Sequence, residues 1–226
     1  MVVSMLSNLE LLLRVPLFSM LTGEQANLVA QAVSKRRVKR GETIVEQGRK
    51  TNALFILLSG RCRVVTTDTR GREVIIATLR PADCIGEMSL IDSEPHSATV
   101  LAEVQTDVLM LGRAEFDRCV ADNPQMARAV MTGLVKRLRR ADQKIESLAL
   151  MDVYGRVAHA LLEQASTDAA GVLQIRDKIS RQDIAKMVGA SREMVSRVMK
   201  DLEERGYIET QESGAIHIKE RLTSLA

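Results

Sequence analysis

The chain has 226 residues, 46% of them hydrophobic and 27% charged, with a formal net charge of +3 at pH 7. This length is enough for two domains of ordinary size, and the mildly basic balance permits a nucleic-acid partner without demonstrating one. Aromatic residues make up only 2% of the chain and Trp is absent, which argues against a base-stacking platform for single-stranded nucleic acid.

Residues 5–33 read as helical, with Pro16 and Gly23 as breaks. Over residues 37–112 the pattern changes to short β-prone runs: Thr43–Glu46, Leu54–Leu58, Cys62–Thr66, Val74–Leu79, Ser97–Ala102 and Asp107–Leu111. Gly41, Gly48, Gly60, Gly71 and Gly86 fall between or beside them. Many short strands with regular glycine turns predict a β-sandwich, roll or barrel. Helix resumes at Arg113–Ala121. Asn123-Pro124 then opens a long helix, since Asn is a preferred N-cap and Pro is favoured at the first helical position. Within it Ala127, Met131, Leu134, Leu138, Ala141, Ile145 and Leu148 alternate spacings of four and three, the seam of a two-stranded coiled coil. The opposite face carries Lys136, Arg137, Arg139, Arg140 and Lys144, which favours a dimer over packing within one domain.

A further amphipathic helix is expected over residues 153–165, through Val157, Leu161 and Leu162, followed by a small polar loop at Ser166–Gly171. Residues 180–200 have the pattern of a helix–turn–helix. Ser180 caps the first helix, with Asp183 completing a capping-box-like pair, and Ile184, Ala185 and Val188 lie at helical spacing. Gly189 falls where the chain must turn, and glycine accepts positive φ there. Ser191 caps a second helix whose buried stripe is Val195, Val198, Met199 and Leu202. Arg192, Glu193, Ser196, Arg197 and Lys200 remain outside. That face suits DNA: arginine bonds guanine O6 and N7 bidentately, and glutamate accepts from cytosine N4. Gly206 stops the helix, and two apolar runs, Tyr207-Ile208 and Ile216-His217-Ile218, flank a turn at Glu212-Ser213-Gly214. They predict a β-hairpin wing.

This order of elements resembles the Crp–Fnr superfamily of bacterial transcription regulators over nearly the whole chain. Gly86-Glu87-Met88-Ser89-Leu90-Ile91-Asp92 followed by Ser97-Ala98-Thr99 is similar to the phosphate-binding cassette of cyclic-nucleotide-binding domains. Leu148–Arg156 resembles the family hinge, and Ser191-Arg192-Glu193 with Ser196-Arg197 resembles its recognition helix. The resemblance implies an α+β fold: an N-terminal jelly-roll-like β-roll that binds cyclic nucleotides (1–123), a long dimerisation helix and hinge (124–152), and a C-terminal winged helix–turn–helix (153–226). It further implies a cytoplasmic homodimer on palindromic, double-stranded promoter DNA, related to a TGTGA-type half-site, with RNA polymerase as a further partner. Arg192, Glu193 and Arg197 would read bases, while Ser180, Arg181, Gln182, Ser191, Ser196 and Lys200 would contact phosphate or hold position.

In the cassette, the resemblance assigns ligand contacts to Gly86, Glu87, Met88, Ser89, His96, Ser97 and Ala98. Glu87 would accept from a ribose 2′-hydroxyl, and Ser97 with the Ala98 amide would donate to phosphate. Two departures stand out. Members that bind cyclic AMP carry an arginine before the Ser-Ala pair, whereas this chain has His96, which is shorter and neutral at pH 7 unless its pKa is raised. Where those members place Thr-Ser on the long helix, this chain has Ala141-Asp142. Asp142 can pair with a guanine edge and Arg139 or Arg140 with phosphate, which favours cyclic di-GMP slightly over cyclic AMP. A degenerate, ligand-independent pocket is the alternative, and a nucleotide-sensing module acting on a protein partner is a further one.

Other functions find little support. There is no Walker A loop, no G-x-S-x-G elbow and no metal-ligand cluster, so neither enzyme activity nor a covalent cofactor or metal is expected. Cys62, Cys84 and Cys119 are widely spaced and odd in number, and read as small buried hydrophobes in a reducing compartment. No leader pattern is visible, and the longest apolar run, around Ala53–Leu58, is far too short to span a bilayer, so no membrane partner is expected.

Overall fold

The computed structural model describes residues 8–13, 15, 18, 21–168, 171–219 and 221–222. The chain divides into two compact units, Met1–Arg137 and Leu138–Ala226.

The first unit opens with helices α1 (Asn8–Leu13) and α2 (Gly23–Ala32). Gly23 begins α2 because Thr22 caps it reciprocally. Gln25 N donates to Thr22 Oγ1 at 3.3 Å and Thr22 N donates to Gln25 Oε1 at 3.0 Å, satisfying two otherwise orphaned amides. The break expected at Pro16 lies outside the described residues. Strands β1 (Ser34–Val38), β2 (Thr43–Val45), β3 (Ala53–Ser59), β4 (Cys62–Thr67), β5 (Glu73–Leu79) and β6 (Cys84–Ile85) follow. Then come α3 (Glu87–Asp92), β7 (Thr99–Ala102) and β8 (Thr106–Gly112). They form two four-stranded sheets, ordered β1-β8-β3-β6 and β2-β7-β4-β5. All pairings in them are antiparallel.

The continuous apolar run of β3 has a direct cause: both of its faces are covered. Phe55 and Leu57 point into the layer between the sheets, with Val38, Val64, Val100 and Val108. Leu54 and Ile56 point the other way, onto a core with Phe18, Val29, Leu109, Phe116 and Met126. Each fully buried side chain of this size contributes about 1.5–3 kcal/mol. Two strands of this unit were not expected from the sequence. β1 reads SKRRV and buries only Val38, yet Lys35 and Arg37 pair with Asp107 of β8 at 3.1 and 2.9 Å. β6 is only two residues long. β7 begins at Thr99, two residues later than expected.

Helix α4 (Arg113–Asp122) leads into α5 (Pro124–Leu150), where Gln125 N donates to Asn123 Oδ1 at 3.0 Å as the Asn-Pro signal anticipates. The division between the two units falls within α5. In the second unit, α6 (Val153–Gln164) is capped by Asp152, whose Oδ1 accepts from Gly155 N at 2.8 Å. Strands β9 (Ser166–Thr167) and β10 (Leu173–Ile175), helices α7 (Arg181–Val188) and α8 (Arg192–Glu204), and strands β11 (Ile208–Thr210) and β12 (Ile216–Ile218) complete it. The expected hairpin is present, with Ile208 opposite Ile218 and Thr210 opposite Ile216. It is half of a four-stranded sheet ordered β11-β12-β10-β9. The loop expected at Ser166–Gly171 is therefore corrected: Ser166 and Thr167 pair with Gln174 and Leu173. Two exposed polar residues carry no periodicity from which a strand can be read. The unit's core gathers Val157, Leu161, Ile184, Val188, Val195, Met199 and Leu202.

Candidate functional site

Two sites can be built, one in each unit. The first lies around α3. Gly86 has φ +90°, and a Cβ there would lie 3.0 Å from the Ala53 carbonyl oxygen, so glycine alone lets the chain enter α3 without strain. The turn sets Glu87 into a cavity of about 200 Å³ with Met88, Ser89, Asp92, Glu94, His96, Ser97, Ala98 and Arg137 in its lining. The cassette residues expected from the sequence are thus brought together.

Their chemistry divides. Glu87 is only 6% exposed. Its Oε1 accepts from Arg137 Nη1, while Oε2 is buried without a hydrogen-bond partner. Burial pushes the Glu87 carboxyl above its usual range, with Arg137 pulling it back. An orphaned buried carboxylate oxygen is what a ligand hydroxyl would satisfy, so the residues fit a ribose. Ser89 is buried and donates to the Glu94 carbonyl at 2.6 Å, so its hydroxyl is already engaged. His96 is buried, lies 2.8 Å through Nε2 from Thr51 Oγ1, and is held below the usual histidine pKa by desolvation. It is therefore neutral at pH 7 and tied to a neighbour. Ser97 and Met88 are exposed at the cavity, and Ala98 is buried. Arg139, Arg140, Ala141 and Asp142 belong to the second unit, where all four are exposed on α5.

Two residues of this site were missed. Arg137 was read only as part of the charged face of the long helix, and Thr51 carries no sequence signal.

The second site is the α7–α8 pair. Asp183 N donates to Ser180 Oγ at 3.0 Å, and Ser180 Oγ donates to Asp183 Oδ2 at 2.7 Å. The pair closes through the side chains, so the capping box is a variant of the expected form. Gly189 ends α7 at φ +65°, and Ser191 Oγ accepts from Met194 N at 3.2 Å to start α8. Val195, Met199 and Leu202 are buried; Arg192, Glu193, Ser196, Arg197 and Lys200 are exposed. Glu193 is held below its usual range, first by hydrogen bonding at the helix start and then by Arg192 and Arg197, so it is ionised. Ser196 donates to the Arg192 carbonyl at 2.9 Å. Gln182 is exposed, while Arg181 faces Glu203 at 3.6 Å and Lys200 faces Glu204 at 3.5 Å. The exposed forks of Arg192 and Arg197 thus stand on the first two turns of α8, the part of a recognition helix that reaches base edges. Lys178 packs within 3.1–3.3 Å of where a Cβ on Gly214 would be, so the wing turn is closed over its aliphatic stem.

A roll with a nucleotide-type cassette followed by a winged helix–turn–helix defines a ligand-responsive transcription regulator. Comparison with known proteins agrees: residues 35–123 match the cyclic nucleotide-binding domain, and residues 155–223 match the Crp-like helix-turn-helix domain. The CRP-like cAMP-activated global transcriptional regulator of Mycobacterium tuberculosis is 33% identical over 83% of this chain and 85% of its own. The cAMP-activated global transcriptional regulator Vfr of Pseudomonas aeruginosa is 36% identical over 77% of this chain and 84% of its own. Among solved structures, the c-di-GMP responsive global regulator CLP of Xanthomonas campestris superimposes with a TM-score of 0.76 at 22% identity, covering 87% of this chain and 99% of that one. The protein belongs to the Crp–Fnr family of transcription regulators. Among the described residues no helix is long and apolar enough to cross a membrane.

Proposed function

We propose that the protein is a homodimeric regulator that binds palindromic promoter DNA through α8 and is switched by a cyclic nucleotide or cyclic dinucleotide at the α3 cassette. The observation that carries this reading is the α7–α8 pair: a capped, glycine-turned, well-buried helix pair that leaves Arg192, Glu193 and Arg197 exposed on one helix start. Arg192, Glu193 and Arg197 read bases, while Ser180, Arg181, Gln182, Ser191, Ser196 and Lys200 contact the backbone or orient the helix. The sensor spans residues 1–123, the dimer helix and hinge 124–152, and the DNA-binding domain 153–226.

Dimerisation is supported by the seam on α5: Met131, Leu138, Ile145 and Leu148 are 55%, 61%, 65% and 49% exposed in the single chain. A row of this kind at heptad spacing buries itself against a second copy. The dimer would place two recognition helices about one DNA turn apart. For the effector, the relatives named as cAMP-activated support cyclic AMP, while Asp142 with Arg139 and Arg140 suits a guanine-bearing cyclic dinucleotide. Cyclic di-GMP and cyclic AMP are therefore the two ligands to compare. Contact with RNA polymerase and a cytoplasmic location accord with the family.

Selection of bound duplexes from a random pool tests the DNA reading. Enrichment of an inverted repeat with half-sites about one turn apart supports it, and bound sequences without any shared repeat would overturn it.

A further inference from the structure

The cassette cavity is poorly balanced for an anion. Glu87, Asp92 and Glu94 contribute carboxylates to its lining, and among the described residues Arg137 is the one lysine or arginine there. His96 supplies no charge, because it is neutral at pH 7 and engaged with Thr51. Of the described residues, a phosphate entering this cavity meets Arg137 as its cation, and Arg137 is already paired with Glu87. The pair is asymmetric. The Glu87 side chain is 7% exposed and that of Arg137 is 40% exposed, so the arginine can reorient while the carboxylate stays in place.

We propose that effector binding is an exchange at this pair: a ribose hydroxyl of the ligand donates to Glu87, and the ligand's phosphate takes over Arg137, which serves as the phosphate-binding cation in place of residue 96. This deepens the cyclic-nucleotide reading above and rests on it. The physical requirement is reciprocal. A free phosphate that drew Arg137 away would leave Glu87 buried and unpaired, and a nucleoside that satisfied Glu87 would leave Arg137 without an anion. Only a molecule that brings hydroxyl and phosphate together completes both halves. The exchange also explains how the ligand is sensed, since Arg137 stands on α5, the helix that carries the apolar seam and runs on to the hinge. A clamp on residue 96 would report to the roll; a clamp on Arg137 reports to the helix.

A double-mutant cycle on the full chain tests this by calorimetry, with cyclic AMP and cyclic di-GMP as titrants and adenosine and inorganic phosphate as single-group controls. Arg137→Gln is expected to weaken the nucleotide that the native protein binds by about ten- to a hundredfold, the size of a lost charge-assisted bond. In the His96→Arg background, which restores a cation at the other position, the same change is expected to cost less than about threefold. Equal losses in both backgrounds would show that Arg137 only supports the fold of the pocket, and would overturn the exchange. Native affinity in Arg137→Gln would overturn it too, while leaving the cyclic-nucleotide reading intact. Tight binding of adenosine or of phosphate alone would also overturn it. Silence of both the native chain and His96→Arg toward both nucleotides would remove the underlying reading and the exchange with it. Should Arg137→Gln fail to fold in a thermal melt, the same cycle with Arg137→Lys decides, because lysine keeps the charge and loses the fork.

Discussion

His96 Nε2 lies 2.8 Å from Thr51 Oγ1, and this contact determines what residue 96 can do. The bond ties the ring to the loop before β3, and the same residue's backbone donates to the Arg49 carbonyl at 2.8 Å and accepts from Gly48 N at 2.9 Å. His96 thus closes the 48–51 loop onto the cassette and acts as a structural residue at a position where a charged side chain would face the ligand.

The same burial gives a pH dependence whose sign is fixed. Desolvation lowers the His96 pKa in the folded chain, so on acidification the unfolded chain takes up the proton first. The stability this group contributes is complete above the ordinary histidine value of about 6.5 and is lost as pH falls through it toward the folded value. Glu87 is shifted upward and acts in the opposite sense, losing its contribution as pH rises above the ordinary carboxylate range. Melting temperatures of the native chain and His96→Gln from pH 7.5 to 5.5 separate the two. The native chain should lose more stability on acidification than the variant, and parallel curves would refute the assignment.

Gly86→Ala should damage the cassette selectively. The residue is in the left-handed region at φ +90°, and its new Cβ would press on a backbone carbonyl at 3.0 Å. Left-handed backbone costs a non-glycine residue about 1–2 kcal/mol before any clash. Calorimetric nucleotide binding should fall sharply while DNA affinity without nucleotide stays close to native.

Arg192→Ala should reduce discrimination between operator and scrambled duplex by about 1–3 kcal/mol, the worth of one bidentate arginine–guanine pair. Lys200→Ala should instead weaken both duplexes alike and flatten the salt dependence of binding, as loss of one phosphate contact does. Competition titrations at several salt concentrations measure both effects, and full discrimination by Arg192→Ala would remove Arg192 from the base-reading set.

Ile145→Glu should disrupt the dimer. Ile145 is 65% exposed in the single chain and sits mid-seam, where a carboxylate in each copy would face its equivalent. Sedimentation equilibrium should show a dimer for the native chain and a monomer, or a strongly weakened dimer, for the variant.

Most of the architecture was legible in the sequence because the signals were physical. Ser180 and Ser191 cap α7 and α8, and Asn123 Oδ1 accepts from Gln125 N at the start of α5, as polar residues ahead of apolar periodicity should. Gly189 adopts positive φ where the helix pair must turn. The misses have equally specific causes. β1 is an edge strand whose Lys35 and Arg37 pair with Asp107, a partner about 70 residues away, so its local composition hides it. β9 is two exposed polar residues held by backbone pairing alone. Arg137 and Thr51 are at the cassette only because the chain folds back over long separations, and no window of sequence contains both members of the Arg137–Glu87 or Thr51–His96 pairs.

Occupation of the cassette should change how α8 meets DNA. The most direct measurement is fluorescence anisotropy of the native chain on its selected operator, with and without saturating cyclic AMP or cyclic di-GMP, alongside Glu87→Ala. One of the nucleotides should shift operator affinity by about fivefold or more in the native chain, the lower end of allosteric coupling, and leave Glu87→Ala unmoved. Equal operator affinity under all three conditions, in the native chain and the variant alike, would contradict any coupling of the cassette to DNA binding.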